Sequence, residues 1–178
     1  ITEMKEDLKS NLVNLQGLEF IYEKSLFPEL EYIFRHALSQ EVAYNSLLLK
    51  RRKEIHEKIG KAIENLYSDR LEEFYEMLAY HYAKSDDISK ACHYLKLSGD
   101  KARKTFSTLQ AFEFYNEAAK LLRNQPDDHE NRRLRLVVIQ PMARLITVLG
   151  SPEGSFELLT EGEKLANDLA KKKALAHF

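Results

Sequence analysis

The sequence predicts a mostly α fold: an antiparallel array of helical repeats, preceded by a small unit of one helix and a β-hairpin. Three observations predict it. From Ala37 onward, apolar residues recur at helical spacing almost without interruption. Ahead of that region, Leu18–Tyr22 and Glu31–Arg35 are rich in aromatic and β-branched residues, as strands are. Six Gly and four Pro in 178 residues are too few for an all-β fold dense in tight turns.

Composition excludes several classes of function. Charged residues make up 31% and sum to −1, so no global basic field exists to attract nucleic acid or an anionic membrane. The single cysteine, Cys92, rules out an internal disulfide framework and suits a reducing cytoplasm, the expected location. No apolar run approaches the roughly 20 residues of a membrane-spanning helix, and the N-terminus lacks the basic-then-apolar order of a signal peptide. The chain starts without Met and inside a helical pattern, which reads as a piece of a longer protein.

Met4, Leu8, Leu12 and Leu15 mark the apolar face of a first helix, with Gly17 as its expected left-handed stop. The two strand-like stretches flank Glu-Lys-Ser-Leu-Phe-Pro-Glu-Leu, giving a hairpin with a long tip. Helix, hairpin, then helix is the second half of a winged-helix unit, placed at residues 1–36. Connecting helices follow at 37–67. The first, about Ala37–Leu48, turns Leu38, Val42 and Leu47/Leu48 inward, and the second aligns Ile55, Ile59, Ile63 and Leu66. No Gly or Pro separates them, so a kink near Lys50 is left open.

Residues 68–125 are read as the main repeats and 126–178 as a further helical hairpin. Ser68 or Asp69 is the expected cap of a helix with Leu71, Phe74/Tyr75, Leu78 and Tyr82 inward. Asp86-Asp87 caps the next, whose inner face is Ala91, Leu95, Ser98 and Ala102. Ser107 and Gln110 make a capping box for a helix burying Ala111, Phe112, Tyr115, Ala118/Ala119 and Leu122. After Gln125-Pro126-Asp127-Asp128, a long helix over His129–Leu149 should bend at Pro141. Pro152 is expected at the first position of a last helix carrying Phe156, Leu159, Leu165 and Leu169. That helix fades into a solvated Ala-Lys-Lys-Lys-Ala.

A repeat pattern is legible in the helical half. The tetratricopeptide (TPR) register wants small residues at its eighth, twentieth and twenty-seventh positions and large ones between. Frames starting at Glu72 (Leu78, Ala79, Tyr82, Ala91, Leu95, Ser98), Cys92 (Gly99, Ala102, Ala111, Tyr115, Ala118) and Leu136 (Ala143, Ile146, Ser155, Leu159, Gly162) fit. The first two overlap, so the helix near Ile88–Arg103 serves both, giving a TPR-like stack, or α-solenoid, rather than clean tandem repeats. An irregular helical bundle would show the same small/large alternation.

The stretch Tyr-Ile-Phe-Arg-His-Ala-Leu-Ser-Gln-Glu-Val-Ala-Tyr-Asn-Ser-Leu-Leu (32–48) carries a resemblance. So do Lys-Arg-Arg-Lys-Glu-Ile-His-Glu-Lys-Ile-Gly-Lys-Ala-Ile-Glu (50–64), Leu-Ala-Tyr-His-Tyr, Lys-Ala-Cys-His-Tyr-Leu, and Gln-Pro-Met-Ala-Arg-Leu-Ile-Thr-Val-Leu-Gly-Ser-Pro-Glu-Gly (140–154). Together they resemble the C-terminal region of bacterial signalling proteins that join a class III adenylate/guanylate cyclase to a STAND-type ATPase and a tetratricopeptide tail. The cyclase domain and the phosphate-binding loop Gly-x-x-x-x-Gly-Lys-Ser/Thr are absent from this sequence, so neither activity is assigned to any residue here. The resemblance implies a non-catalytic regulatory or protein-interaction module in such a parent. A STAND ATPase transcription regulator would carry the same tail, and a free-standing TPR adaptor is the third reading.

No catalytic, cofactor or metal residues are assigned. None of the six histidines forms His-Glu-x-x-His, and Cys92-His93 stands alone. His36 reads as a packing residue, and His81 and His93 as satisfied surface histidines on adjacent helices. DNA binding is disfavoured, because the helix around Glu3–Gln16 sets Glu3, Glu6 and Asp7 against only Lys5 and Lys9. The runs Lys50–Lys53 and Arg132–Arg135 read as solvated helix faces. The candidate binding residues are His93, Lys96, Asp100, Arg103, Lys104 and Arg144, at positions that line the concave groove of TPR arrays. They form a weakly basic groove for an acidic peptide, a protein partner or a neighbouring domain of the same chain. No nucleic acid or membrane partner is expected.

Overall fold

The computed structural model describes residues 2–25 and 31–170. The hairpin tip and the lysine-rich end both fall at least partly outside them. The described residues are mostly helical with one small two-stranded sheet. By contacts the chain divides into two compact units, Ile1–Arg52 and Lys53–Phe178, with the boundary inside a helix.

The first unit holds α1 (Thr2–Gly17), β1 (Ile21–Ser25), β2 (Glu31–Phe34), α2 (Ala37–Ser46) and the start of α3 (Leu49–Leu66). The strands pair antiparallel, with Ile21 opposite Phe34 and Tyr22 opposite Ile33. Gly17 is not the left-handed stop. It is the last helical residue, and Glu19 takes the positive φ of 60° while Phe20 N–H donates back to the Leu15 carbonyl. A polar side chain tolerates that conformation at modest cost when the two closing backbone bonds are made.

The question near Lys50 is resolved three residues earlier. Leu47 is extended (ψ 137°) and ends α2, and Arg52 Nε donates to the Leu47 carbonyl while its guanidinium lies over the Tyr44 ring. The predicted inward stripe of α2 is not inward: Leu38, Val42 and Leu48 are exposed, and α2 has no buried residue. Sequence periodicity gives an apolar stripe without saying what covers it.

The core of the second unit lies between α3, α4 (Tyr75–Ala83), α5 (Ile88–Lys104), α6 (Thr108–Arg123), α7 (His129–Ile139), α8 (Met142–Val148) and α9 (Ser155–Asp168). The buried face of α3 is His56, Gly60 and Ile63, while Ile59 and Leu66 are exposed. That rotation follows from Gly60. A Cβ there would sit 2.7 Å from Tyr82 Cζ, so the missing side chain is what admits the ring. Tyr82 then reaches Glu64, whose carboxylate accepts from Tyr82 OH (2.8 Å), Tyr94 OH (2.7 Å) and Lys90 Nζ (2.5 Å). Burial works against the Glu64 charge, but these donors hold its pKa below the ordinary value.

Ser68 and Asp69 cap nothing. A 3-10 turn at Leu71–Phe74 leads into α4, whose first residue follows Phe74 without a side-chain cap. Asp87 does cap α5, accepting from Lys90 N–H at 3.0 Å. Ser107 precedes α6, but its side chain makes no capping bond. The predicted inner faces of α4, α5 and α6 are at least half-buried throughout, and those of α5 and α6 are fully buried. The single cysteine, Cys92, is buried with its Sγ 3.8 Å from the Ala118 carbonyl.

Asp128 caps α7, and Asn131 Nδ2 donates to the carbonyls of Leu122 and Pro126, tying α7 to the end of α6. Pro141 divides the predicted long helix into α7 and α8. The ring has no N–H to give to the Val137 carbonyl one turn earlier. Pro152 is not the first residue of α9; the helix starts at Ser155 after Gly154, whose φ is 78°. Leu158 and Leu165 face the core there, whereas Phe156 is exposed. The run Arg132–Arg135 is solvated at Arg133 and Leu134, but not at Arg135. Arg135 pairs with Asp127 (3.1 Å) and with Glu161 on α9, which also holds Arg123 (2.5 Å).

Candidate functional site

The candidate site is a cleft of about 230 Å³ between α5 and the α7–α8 junction, two segments that α6 separates in the chain. Lys96, Asp100 and Arg103 line one wall, at i, i+4 and i+7 on α5. Val137, Gln140, Pro141 and Arg144 line the other. The buried face of α5 (Ala91, Leu95, Ser98, Ala102) points elsewhere around the same helix, so the amphipathic pattern itself aims the charged stripe outward.

Asp100 organises the α5 wall. Its Oδ2 accepts from Lys96 Nζ (2.5 Å), its Oδ1 accepts from Tyr115 OH (2.6 Å), and Arg103 lies at 3.7 Å. Burial opposes the charge on Asp100. The bonds from Lys96 and Tyr115, with the Lys96 and Arg103 charges, nonetheless keep its carboxyl below the ordinary range. Tyr115 reaches Asp100 from the core side because its ring packs against Gly99, where a Cβ would lie 2.6 Å from Tyr115 Cε1. Core packing thus fixes the carboxylate that in turn fixes two cations.

Across the cleft, Arg144 is exposed and has no carboxylate partner among the described residues. Pro141 sets where α8 starts and hence where Arg144 stands. Lys96, Arg103 and Arg144 against Asp100 leave an excess of two positive charges around a small, partly apolar cleft. Such a site can hold a carboxylate, with Gln140 as a further donor and Val137 and Pro141 as apolar wall.

Four of the six candidate residues therefore meet: Lys96, Asp100, Arg103 and Arg144. His93 is exposed on α5, its ring edge-on to Tyr94, and does not line this cleft. Lys104 turns toward the start of α4, 3.9 Å from Glu72, in a separate hollow with Lys101 and Tyr75. His81, read as a surface histidine, is partly buried and meets His56, Nδ1 to Nδ1 at 3.0 Å. Val137, Gln140, Pro141 and Tyr115 belong to the site and were not singled out for it from the sequence. Gln140-Pro141 inside a helical pattern was the available signal. No family model, curated protein or solved structure matches this chain.

Proposed function

We propose that this chain is a non-catalytic regulatory module that binds an acidic protein or peptide segment in the cleft between α5 and the α7–α8 junction. The observation that carries the reading is the convergence of Lys96, Arg103 and Arg144 on one cleft with a single carboxylate, Asp100. The TPR-like reading of the fold draws support from burial. Gly99, Ala102, Ala111, Ala118, Ala143, Ser155 and Gly162, small residues at the repeat positions, are all buried. Helices that approach over small residues leave their charged faces free to form a groove.

The resemblance of the sequence extends the proposal to a parent protein: a cytoplasmic signalling chain in which partner binding on this array biases an ATPase and a nucleotide cyclase. A coupling of about 1–3 kcal/mol suffices for such a switch. The helices from Phe34 to Leu66 are the proposed route, because α3 belongs to both compact units.

Charge reversal tests the cleft. Arg144→Glu should weaken binding of fluorescein-labelled hexaglutamate, read by fluorescence polarisation, by about tenfold, the size of one charge-assisted contact. Lys104→Glu removes an equal charge outside the cleft and should leave the affinity within about twofold, as a rim charge does. Equal losses in the two variants would mean that net charge, not the cleft, attracts the peptide.

A further inference from the structure

The turn that ends α5 carries a second exposed feature at Phe106, three residues beyond Arg103. Two backbone bonds close the helix, from Phe106 N–H to the Arg103 carbonyl (3.2 Å) and from Ser107 N–H to the Ala102 carbonyl (2.9 Å). Between them Phe106 takes a φ of 60°. That position is ordinarily glycine, because a Cβ crowds the following carbonyl in the left-handed conformation. Bulky residues there are rare. Phe106 is also 92% exposed, so its ring recovers nothing from the fold. A lone exposed apolar residue is ordinary. A ring that is both strained and fully exposed is a local conflict of the kind that marks a used position.

The surroundings define what would use it. Leu109, three residues on, is 59% exposed. Arg103, whose carbonyl accepts the Phe106 N–H, is the residue whose guanidinium lines the basic cleft. Lys104, on the same turn, faces Glu72 instead and takes no part. Cations select a negatively charged segment, while Phe106 and Leu109 select apolar groups on it. Aromatic and arginine side chains are the residue types that most often dominate an interface.

We infer that the α5–α6 turn is a docking element of the same surface, with Phe106 as aromatic anchor for a partner segment in which apolar residues flank acidic ones. The inference rests on the acidic-segment reading of the cleft, and two peptides separate their failures. Fluorescein-labelled hexaglutamate probes the cleft alone; a six-residue peptide alternating Glu and Leu probes cleft and anchor together.

The alternating peptide is expected to bind about tenfold more tightly than hexaglutamate, the scale of one aromatic anchor. Phe106→Asn should abolish that margin without changing hexaglutamate affinity, and Arg144→Glu should weaken both. Asn accepts the left-handed position, so the variant should melt no lower than the parent. A structural role for the ring would instead lower Tm. A margin that survives Phe106→Asn overturns the anchor while leaving the cleft intact. Absence of binding by either peptide overturns both. Phe106-dependent sedimentation with phosphatidylserine vesicles, without a peptide margin, would overturn the proposal in favour of a lipid surface.

Discussion

Tyr115→Ala is expected to lower the unfolding free energy of the second unit by about 3–5 kcal/mol, the range for truncating a fully buried aromatic residue. The ring is completely buried against Gly99, and its hydroxyl is one of the donors on Asp100. Tyr115→Phe keeps the ring and removes that donor, so it should cost only about 1–2 kcal/mol. Gly99→Ala approaches the same contact from the other side. Its methyl would lie 2.6 Å from an atom of a fully buried ring whose hydroxyl is bonded to Asp100, so the ring must shift. Overpacking of about 1–3 kcal/mol then outweighs the roughly 1 kcal/mol that alanine gains over glycine in a helix. With the ring gone the sign reverses: Gly99→Ala should stabilise the Tyr115→Ala background. Urea midpoints of the four proteins form a double-mutant cycle that measures the coupling. Additive costs would show that the ring slides aside.

Acid should loosen the α3–α4 contact well before the carboxylates titrate. His56 and His81 face each other through their Nδ1 atoms, so one donates a proton that the other accepts, and the acceptor is neutral. Burial is the main cause that pushes both pKa values down, with Lys84 adding its charge. For His81, where His56 contributes as well, the value falls to about 4. The unfolded chain takes up a proton near 6.5, so between about 6.5 and 4 it binds more protons than the folded one. Stability is therefore full above 6.5 and declines as pH falls through that window. His81 is half-buried, and a discounted loss of about 1–2 kcal/mol is expected by pH 4.5.

Glu64, Asp100 and Glu161 have lowered pKa values, so their contributions are lost only below the ordinary carboxylate range. His81→Gln should accordingly flatten the urea midpoint between pH 7 and 5 while leaving the steeper fall below pH 4. An unchanged slope in that variant would assign the upper window to other groups.

The sequence disclosed the second unit far better than the first, for a physical reason. The faces of α5 and α6 are set by small residues alternating with large ones, and burial there is decided by neighbours that are themselves regular helices. In α2 and α1 the apolar spacing is equally visible, yet Leu38, Val42 and Leu8 are exposed, because periodicity names a face and not its cover. On α3 the stripe holds at Ile63 and partly at Ile55, but Ile59 and Leu66 are exposed, for a different reason. Gly60 and His56 carry no hydrophobic signal, although the Tyr82 ring makes them the buried positions. For the candidate site, spacing on α5 grouped Lys96, Asp100 and Arg103, which line one wall of the cleft. Adding Lys104 to that group overlooked that it turns toward Glu72, and the far wall depended on where Pro141 breaks the helix.

The burial of Cys92 gives the chain an internal reporter. Its thiol lies under α6, and burial pushes its pKa up to about 11, so little thiolate exists at neutral pH and none is accessible. No other cysteine contributes background. A thiol reagent such as 5,5'-dithiobis(2-nitrobenzoate) should react only when α5 and α6 part. Its rate against urea then times the separation of those helices without any engineered label.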